Sequence, residues 1–288
     1  MSAGAPAHPT IDLVLATLGR TAELQRLLDS LAAQTSRSFR LIVVDQNPDD
    51  RLVAALNESG GSLEILHLRS EPGSSRARNV GLRQVVGEIV SFPDDDCWYP
   101  ADLLERIGLL LAGQPAVDGV VTGTIDEHGQ RVGSRAAGPG PLTRYNLWAR
   151  VGAPRLFLRR DVIERVGPLD ETLGVGSATP WQAAADLDYV RRCLEAGFAL
   201  RYEPGLCVYH RSRRERTPRP DPRQGYSYGL GMGRALAQAR LPAWFGAYLC
   251  SRPFAASLFS AAVAKPSHAR FHLAVGRGRL RGWRSTTR

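Results

Sequence analysis

No aspartate or glutamate occurs between Arg240 and Arg288, a stretch that holds nine of the 37 basic residues and leaves 28 basic against 28 acidic in the rest of the chain. The sequence therefore reads as a charge-balanced body with a basic C-terminal part. Lysine is almost missing: Lys265 stands alone, and the remaining positive charge is arginine. The four cysteines, Cys97, Cys193, Cys207 and Cys250, are far apart with no C-x-x-C pair. That spacing argues against a zinc site and a disulfide scaffold, and a reducing cytosol suits it. The opening MSAGAPAHPT has neither a basic n-region nor an apolar h-region, so no secretory signal is expected. Internal repeats are absent as well. With 43% hydrophobic and 23% charged residues over 288 positions, the chain has the composition of a globular protein long enough to bury one large core or two smaller ones, and one main domain with an appendage is expected.

What is present begins with short apolar runs. IDLVLA (Ile11 to Ala16), LIVVD (Leu41 to Asp45), LEILHL (Leu63 to Leu68) and EIVSF (Glu88 to Phe92) suit strands covered on both faces. Helical patterns separate them: Leu24, Leu27, Leu28 and Leu31 share one helix face, and RLVAALNES and SRARNVGLRQVV supply two more. This β-α alternation predicts a mostly parallel, Rossmann-like sheet flanked by helices, an α/β fold. Ligands of such sheets bind beyond the strand carboxyl ends, where Thr17, Asp45 and the triplet Asp94, Asp95 and Asp96 fall. The helix ADLLERIGLLLA and strand GVVTGT follow, then a Gly-rich loop DEHGQRVGSRAAGPGPL. A second region has the strand RLFL, the helix DVIERV, the loop LDETLGVGSATPWQ and a helix from about Asp186 to Ala196. Two short strands, ALRYEP and LCVYH, and the linker RSRRERTPRPDPR complete it.

Three adjacent carboxylates need an explanation. At 4 Å two like charges repel by about 1 kcal/mol in water and about 4 kcal/mol near a protein surface. Either solvent bathes Asp94 to Asp96 in a turn capping the next helix, or a hard cation sits there, completed by water and substrate phosphates. In EPGSSRARNVG, a helix start with Arg76 and Arg78 favours a phosphate anion or is an exposed basic helix. Asp45 can accept hydrogen bonds from a base or ribose, or form a turn. Asp186 and Asp188 are rotated about 200° apart on a helix, so only one can face a substrate, and Asp186 is a candidate general base or a helix cap. His210, ending LCVYH, is a candidate metal ligand or phosphate neighbour.

In this order the pieces resemble a family 2 glycosyltransferase of the GT-A fold. ATLGR is similar to the family's nucleotide loop, VVDQN to its VVDDGS-type turn, and RARNVGL to its ARN-x-G element. FPDDDCWY resembles the D-x-D motif, with Asp94 and Asp96 as the outer positions, and GPLDETLGVG resembles the acceptor-side loop. ADLDYVRRCLEAGFALRYEPGLCVYH resembles the closing segment with its terminal histidine, although Ala185 replaces the usual glutamate before the catalytic aspartate and Gln46 an acidic residue.

The resemblance implies an inverting transfer from a nucleotide diphosphate sugar, with UDP, GDP or dTDP as the nucleotide, to a hydroxyl of a glycan or lipid-linked acceptor in cell-surface polysaccharide or glycolipid synthesis. Thr17, Arg20, Asp45, Arg78, Asn79, Asp94 and Asp95 would bind the donor. Asp96, Asp94 and His210 would hold Mg²⁺ or Mn²⁺, and Asp186 would be the base, with Asp188 as fallback. The implied layout is a GT-A domain over 1–210, with a nucleotide half at about 11–124 and an acceptor half at about 125–210. A linker and helix at 211–239 and a basic tail at 240–288 follow. A nucleotidyltransferase and a non-catalytic binding protein are the competing readings.

In the tail, AWFGAYLCSRPFAASLFSAAVA (Ala243 to Ala264) has the length of a membrane span but is interrupted by Arg252 and Pro253. Two short interfacial helices on an anionic membrane are expected, with a packed helical appendage as the competing reading. Aromatic residues cluster with alanine and leucine and do not alternate with arginine, which favours lipid over nucleic acid. The expected location is the cytoplasm, peripheral on the inner membrane face.

Overall fold

The four apolar runs form β1 (Ile11–Thr17), β2 (Phe39–Asp45), β3 (Ile65–Arg69) and β4 (Ile89–Ser91), separated by α1 (Ala22–Ala32), α2 (Val53–Ser59) and α3 (Ser74–Leu82). The computed structural model describes residues 9–131, 138–211 and 220–285. Parts of the expected Gly-rich loop (132–137) and of the Arg- and Pro-rich linker (212–219) lie outside them, as do both termini. The next elements are β5 (Cys97–Trp98), α4 (Leu103–Gly113), β6 (Gly119–Ile125), β7 (Gly140–Pro141), α5 (Leu147–Arg150), β8 (Leu156–Arg159) and α6 (Arg160–Val166). Last come α7 (Ala185–Glu195), β9 (Leu200–His210), α8 (Pro222–Gln238), α9 (Ala243–Ala262) and α10 (Pro266–Arg284).

The chain divides into two compact units. One comprises 1–72, 76–168 and 192–212; the other comprises 73–75, 169–191 and 213–288. The first holds a nine-stranded sheet in the order β3-β2-β1-β4-β8-β6-β9-β5, with β7 beside β9. β1 to β4 are parallel; β8 is antiparallel to both β4 and β6, and β9 is parallel to β6, so the long strands other than β8 share one direction. The two strands expected from ALRYEP and LCVYH are one, β9, whose pairing with β6 shifts register between Thr122 and Gly123. Gly123 permits the shift, since a Cβ there would lie 2.9 Å from Pro204 O and 3.0 Å from Cys207 Sγ.

Leu24, Leu27, Leu28 and Leu31 of α1 are fully buried against β1 and β2, each contributing about 1.5–3 kcal/mol of apolar burial. On α3, Gly81 lets the helix lie against the sheet: a Cβ would come 2.5 Å from Val14 Cγ1 and 3.1 Å from Val44 Cγ2.

In the second unit α8 and α10 pack backbone to backbone. Cβ atoms on Gly229 or Gly233 would strike the carbonyls of Val275 or Arg279, and Cβ atoms on Gly278 or Gly282 those of Tyr226 or Leu230. Linker helix and tail are therefore parts of one packed body. The tail differs from expectation in that Ala243–Ala262 is one helix running through Pro253. Proline cannot donate to the carbonyl four residues earlier, here Leu249 O. The Arg279 guanidinium of α10 supplies that missing donor at 2.7 Å. Burial pushes the Arg279 guanidinium below its ordinary value, so its cation is held at a cost in solvation. No described helix is long and apolar enough to cross a membrane.

The Arg279 bond predicts a coupling. Arg279→Leu should destabilise the chain by about 1–3 kcal/mol by leaving Leu249 O unpaired. Much of that loss should vanish in a Pro253→Ala background, where residue 253 regains its N–H. Denaturant unfolding of the four chains of the cycle measures the coupling.

Candidate active site

The β1–β4 register pairs Leu13 with Ser91, and an isolated bridge from Ala16 to Asp94 extends it. The acidic triplet is thereby fixed beside the β1–α1 loop. There Asp95 accepts from Thr17 Oγ1 at 2.8 Å and from the Arg20 guanidinium, which also lies 3.0 Å from Asp96 Oδ2. Arg78 pairs with Asp94 at 2.9 Å. Two arginines thus offset much of the repulsion among three carboxylates. Burial raises the Asp95 carboxyl above its ordinary value, opposed by Arg20 and Thr17. Burial lowers the Arg20 guanidinium, but Asp95 and Asp96 outweigh it and hold the group above its ordinary value.

His210 reaches this cluster through strand pairing. β5 is antiparallel to β9 with Cys97 opposite His210 and Trp98 opposite Tyr209. His210 Nε2 consequently lies 3.2 Å from Asp96 Oδ1. Asp94, Asp96 and His210 each offer one ligand atom, all within 4.8 Å of one another. Two carboxylates and one imidazole fit a hard divalent cation, with positions left for water and phosphate oxygens. Trp98 stacks on Tyr209 (5.4 Å, 5°), and the Arg26 guanidinium lies 3.4 Å from the Trp98 ring centre. The stack reinforces the two-residue pairing that carries His210.

Several of the residues expected at the donor are engaged with partners inside the protein. Asp45 is fully buried, with Oδ1 accepting from Asn47 N and Nδ2 and Oδ2 facing His67 at 3.2 Å and Arg69 at 3.1 Å. It shapes the turn after β2, and its carboxylate is not exposed to a base or ribose. Thr17 is likewise buried, its hydroxyl given to Asp95 and its carbonyl to Gln46. Asn79 is buried on α3, and Arg76 is exposed. The N–H of Ser74 at the start of α3 bonds Val175 O at 2.9 Å, so it is not free for a phosphate. Sequence reasoning assigned no role to Asn47, whose Oδ1 accepts from Gly19 N at 2.7 Å and so links the turns after β1 and β2. Gly19 has φ 77°, which glycine adopts readily. A clue was the position of Asn47 two residues after the strand-ending Asp45, the spacing of an Asx turn.

In the second unit Asp186 is half-buried in the first turn of α7, where the helix dipole favours a carboxylate. Asp188 is buried and paired with Arg191 at 2.6 Å. Of the two, Asp186 has the carboxylate more open to solvent. Ala184, just before α7, has φ 71° and its carbonyl accepts from Asp188 N at 2.9 Å.

These roles separate experimentally. Asp95→Asn should destabilise the fold by about 1–3 kcal/mol, because Arg20 loses a charged, buried partner, yet should retain Mn²⁺ binding. Asp96→Ala and His210→Ala should lose Mn²⁺ binding instead. Thermal unfolding and calorimetric Mn²⁺ titration report the two effects.

Residues 12–165 match the family model described as glycosyl transferase family 2. Among curated proteins, the chain is 26% identical over 216 residues to glycosyltransferase AglE of Haloferax volcanii, covering 71% of this chain and 68% of that protein. Among solved structures, mannosyltransferase PcManGT from Pyrobaculum calidifontis, in complex with GDP-Man and Mn²⁺, aligns with a TM-score of 0.65 at 16% identity, over 98% of this chain and 89% of that one. S. aureus TarS in complex with UDP-GlcNAc aligns with a TM-score of 0.62 at 15% identity, over 94% and 92%. Both likenesses carry the fold, the GT-A arrangement of the sheet.

Proposed function

The chain belongs to glycosyl transferase family 2, and we propose that it moves a sugar from a nucleotide diphosphate sugar to a hydroxyl acceptor by a metal-dependent, inverting displacement. The observation that carries this reading is the Asp94, Asp96 and His210 cluster, set beside the loops after β1 and β2 at the strand carboxyl ends. Family membership argues against the nucleotidyltransferase and the non-catalytic binding protein. The donors named for PcManGT and TarS, GDP-Man and UDP-GlcNAc, support a nucleotide sugar of that class here.

Asp94, Asp96 and His210 would hold Mn²⁺ or Mg²⁺, and the nitrogen ligand favours Mn²⁺, the less demanding of the two ions. When bound, the ion would neutralise charge developing on the leaving diphosphate. Arg20 and Arg78 hold the carboxylates in place and bring two further positive charges to the same region. Asp186 removes the acceptor proton as the hydroxyl attacks the anomeric carbon, so one displacement inverts configuration. Asp188 is a poor substitute because Arg191 already occupies it.

The acceptor is a glycan or lipid-linked sugar of cell-surface polysaccharide or glycolipid synthesis, reached by a chain peripheral on the cytoplasmic face of the membrane. Support comes from α9: Trp244, Tyr248, Leu258 and Phe259, 52–73% exposed, fall on one helix face opposite the buried Phe245, Leu249 and Pro253. Arg252, Lys265 and Arg270 are exposed along the same helix pair, as an anionic lipid surface requires.

Three measurements test this reading. UDP, GDP or dTDP should raise the melting temperature only with Mn²⁺ or Mg²⁺ present, and no shift with any of them removes the nucleotide-sugar site. Asp186→Asn should cut transfer by about 10²–10⁴-fold while leaving donor binding intact. Replacing Trp244, Leu258 and Phe259 by serine in the full chain should release it from phosphatidylglycerol vesicles in a sedimentation assay; unchanged binding rejects the membrane assignment.

A further inference from the structure

Four glycines crowd α8, and they do not share one face. Gly225, Gly229 and Gly233 recur every fourth residue and meet α10. Gly231 is out of that register, rotated about 200° from Gly229. It faces the segment before α7: a Cβ at Gly231 would lie 2.6 Å from Ala183 O and 2.7 Å from Ala183 N, both backbone atoms with no flexible end to move aside. One turn on, the Arg234 guanidinium sits 4.6 Å from the centre of the Trp181 ring, and its Nε is buried without a hydrogen-bond partner. α8 thus grips Trp181 and Ala183 with two residues three apart, which lie on one helix side.

The gripped segment is stiff on its near side. Gln182 Oε1 accepts from Gly176 N at 2.9 Å, and Gln182 Nε2 donates to the carbonyls of Ser177 and Thr179. On its far side comes Ala184 at φ 71°, a left-handed conformation that a side chain holds only when its surroundings dictate it. Two residues later stands Asp186.

We propose that Gly231 and Arg234 are positioning residues for sugar transfer. By clamping Ala183 and Trp181 they hold Ala184 left-handed, and Ala184 sets the direction in which α7 presents the Asp186 carboxylate. The inference rests on Asp186 being the base. It gives α8 a role in the chemistry, separate from membrane attachment through α9.

The test uses the full chain and the variants Gly231→Ala, Arg234→Leu, Arg234→Lys and Asp186→Asn. Amide hydrogen exchange over 183–190 reads the clamp, because Asp188 N–H bonds Ala184 O. Release of nucleoside diphosphate from UDP-GlcNAc or GDP-mannose with Mn²⁺, water being the acceptor, reads turnover. Gly231→Ala should speed exchange in that segment about tenfold or more with the rest of the chain unchanged. It should also lower kcat about ten- to a hundredfold at constant donor KM. Arg234→Leu should act in the same direction, and Arg234→Lys, which keeps a cation over Trp181, should recover part of the loss. Unchanged exchange in both Gly231→Ala and Arg234→Leu overturns the clamp. A fall in kcat matched by a lower melting temperature and a higher donor KM also overturns it, by revealing a merely structural role. A fully active Asp186→Asn would instead remove the base assignment, whereas an inactive Asp186→Asn beside a fully active Gly231→Ala would reject the positioning role alone.

Discussion

Three adjacent carboxylates after a buried strand impose the constraint around which the first unit is built. Unopposed, each neighbouring pair costs about 4 kcal/mol at 4 Å and a near-surface dielectric. Opposition comes from Arg20 on Asp95 and Asp96 and from Arg78 on Asp94, and His210 Nε2 lies 3.2 Å from Asp96 Oδ1. The β1–α1 loop, α3 and the end of β9 must all converge on one point for this to work. A parallel sheet does that naturally, because its strands deliver their carboxyl ends to the same edge.

The triplet divides its labour. Asp95 is buried and turns to Thr17 and Arg20; Asp94 and Asp96 each place one oxygen within 4.8 Å of a His210 ring nitrogen, where the three could hold a cation. Asp45 has the same double character two strands over. Its position at a strand end suggests ligand binding, yet its oxygens are consumed by Asn47, His67 and Arg69. Position in an α/β sheet is a statement about where a ligand can sit. Which side chain touches it depends on who else competes for the same oxygens.

A comparable economy governs the second unit. Glycine removes side chains where α8 meets α10, so two helices share backbone contact, and Arg279 repairs the carbonyl that Pro253 orphans in α9. Pro253 was a reason to expect a break, since within a single helix nothing can replace its missing donor. The replacement comes from another helix 26 residues later in the chain, a partner no local rule supplies.

The sequence by itself determined the strand-helix alternation, the buried face of α1, the acidic cluster and the different exposure of Asp186 and Asp188, because each follows from periodicity or helix rotation over a few residues. The order of the motifs determined the resemblance to the family. Tertiary structure alone decided that β8 inserts antiparallel between β4 and β6, that β9 is one shifted strand, and that Cys97 lies opposite His210. It also decided which carboxylate oxygens of the triplet are engaged by Thr17 and Arg20 and which lie beside His210. Those outcomes depend on pairing between segments up to 113 residues apart, as in Cys97 and His210, and hydrogen-bond partners at that separation leave no periodic trace in the chain.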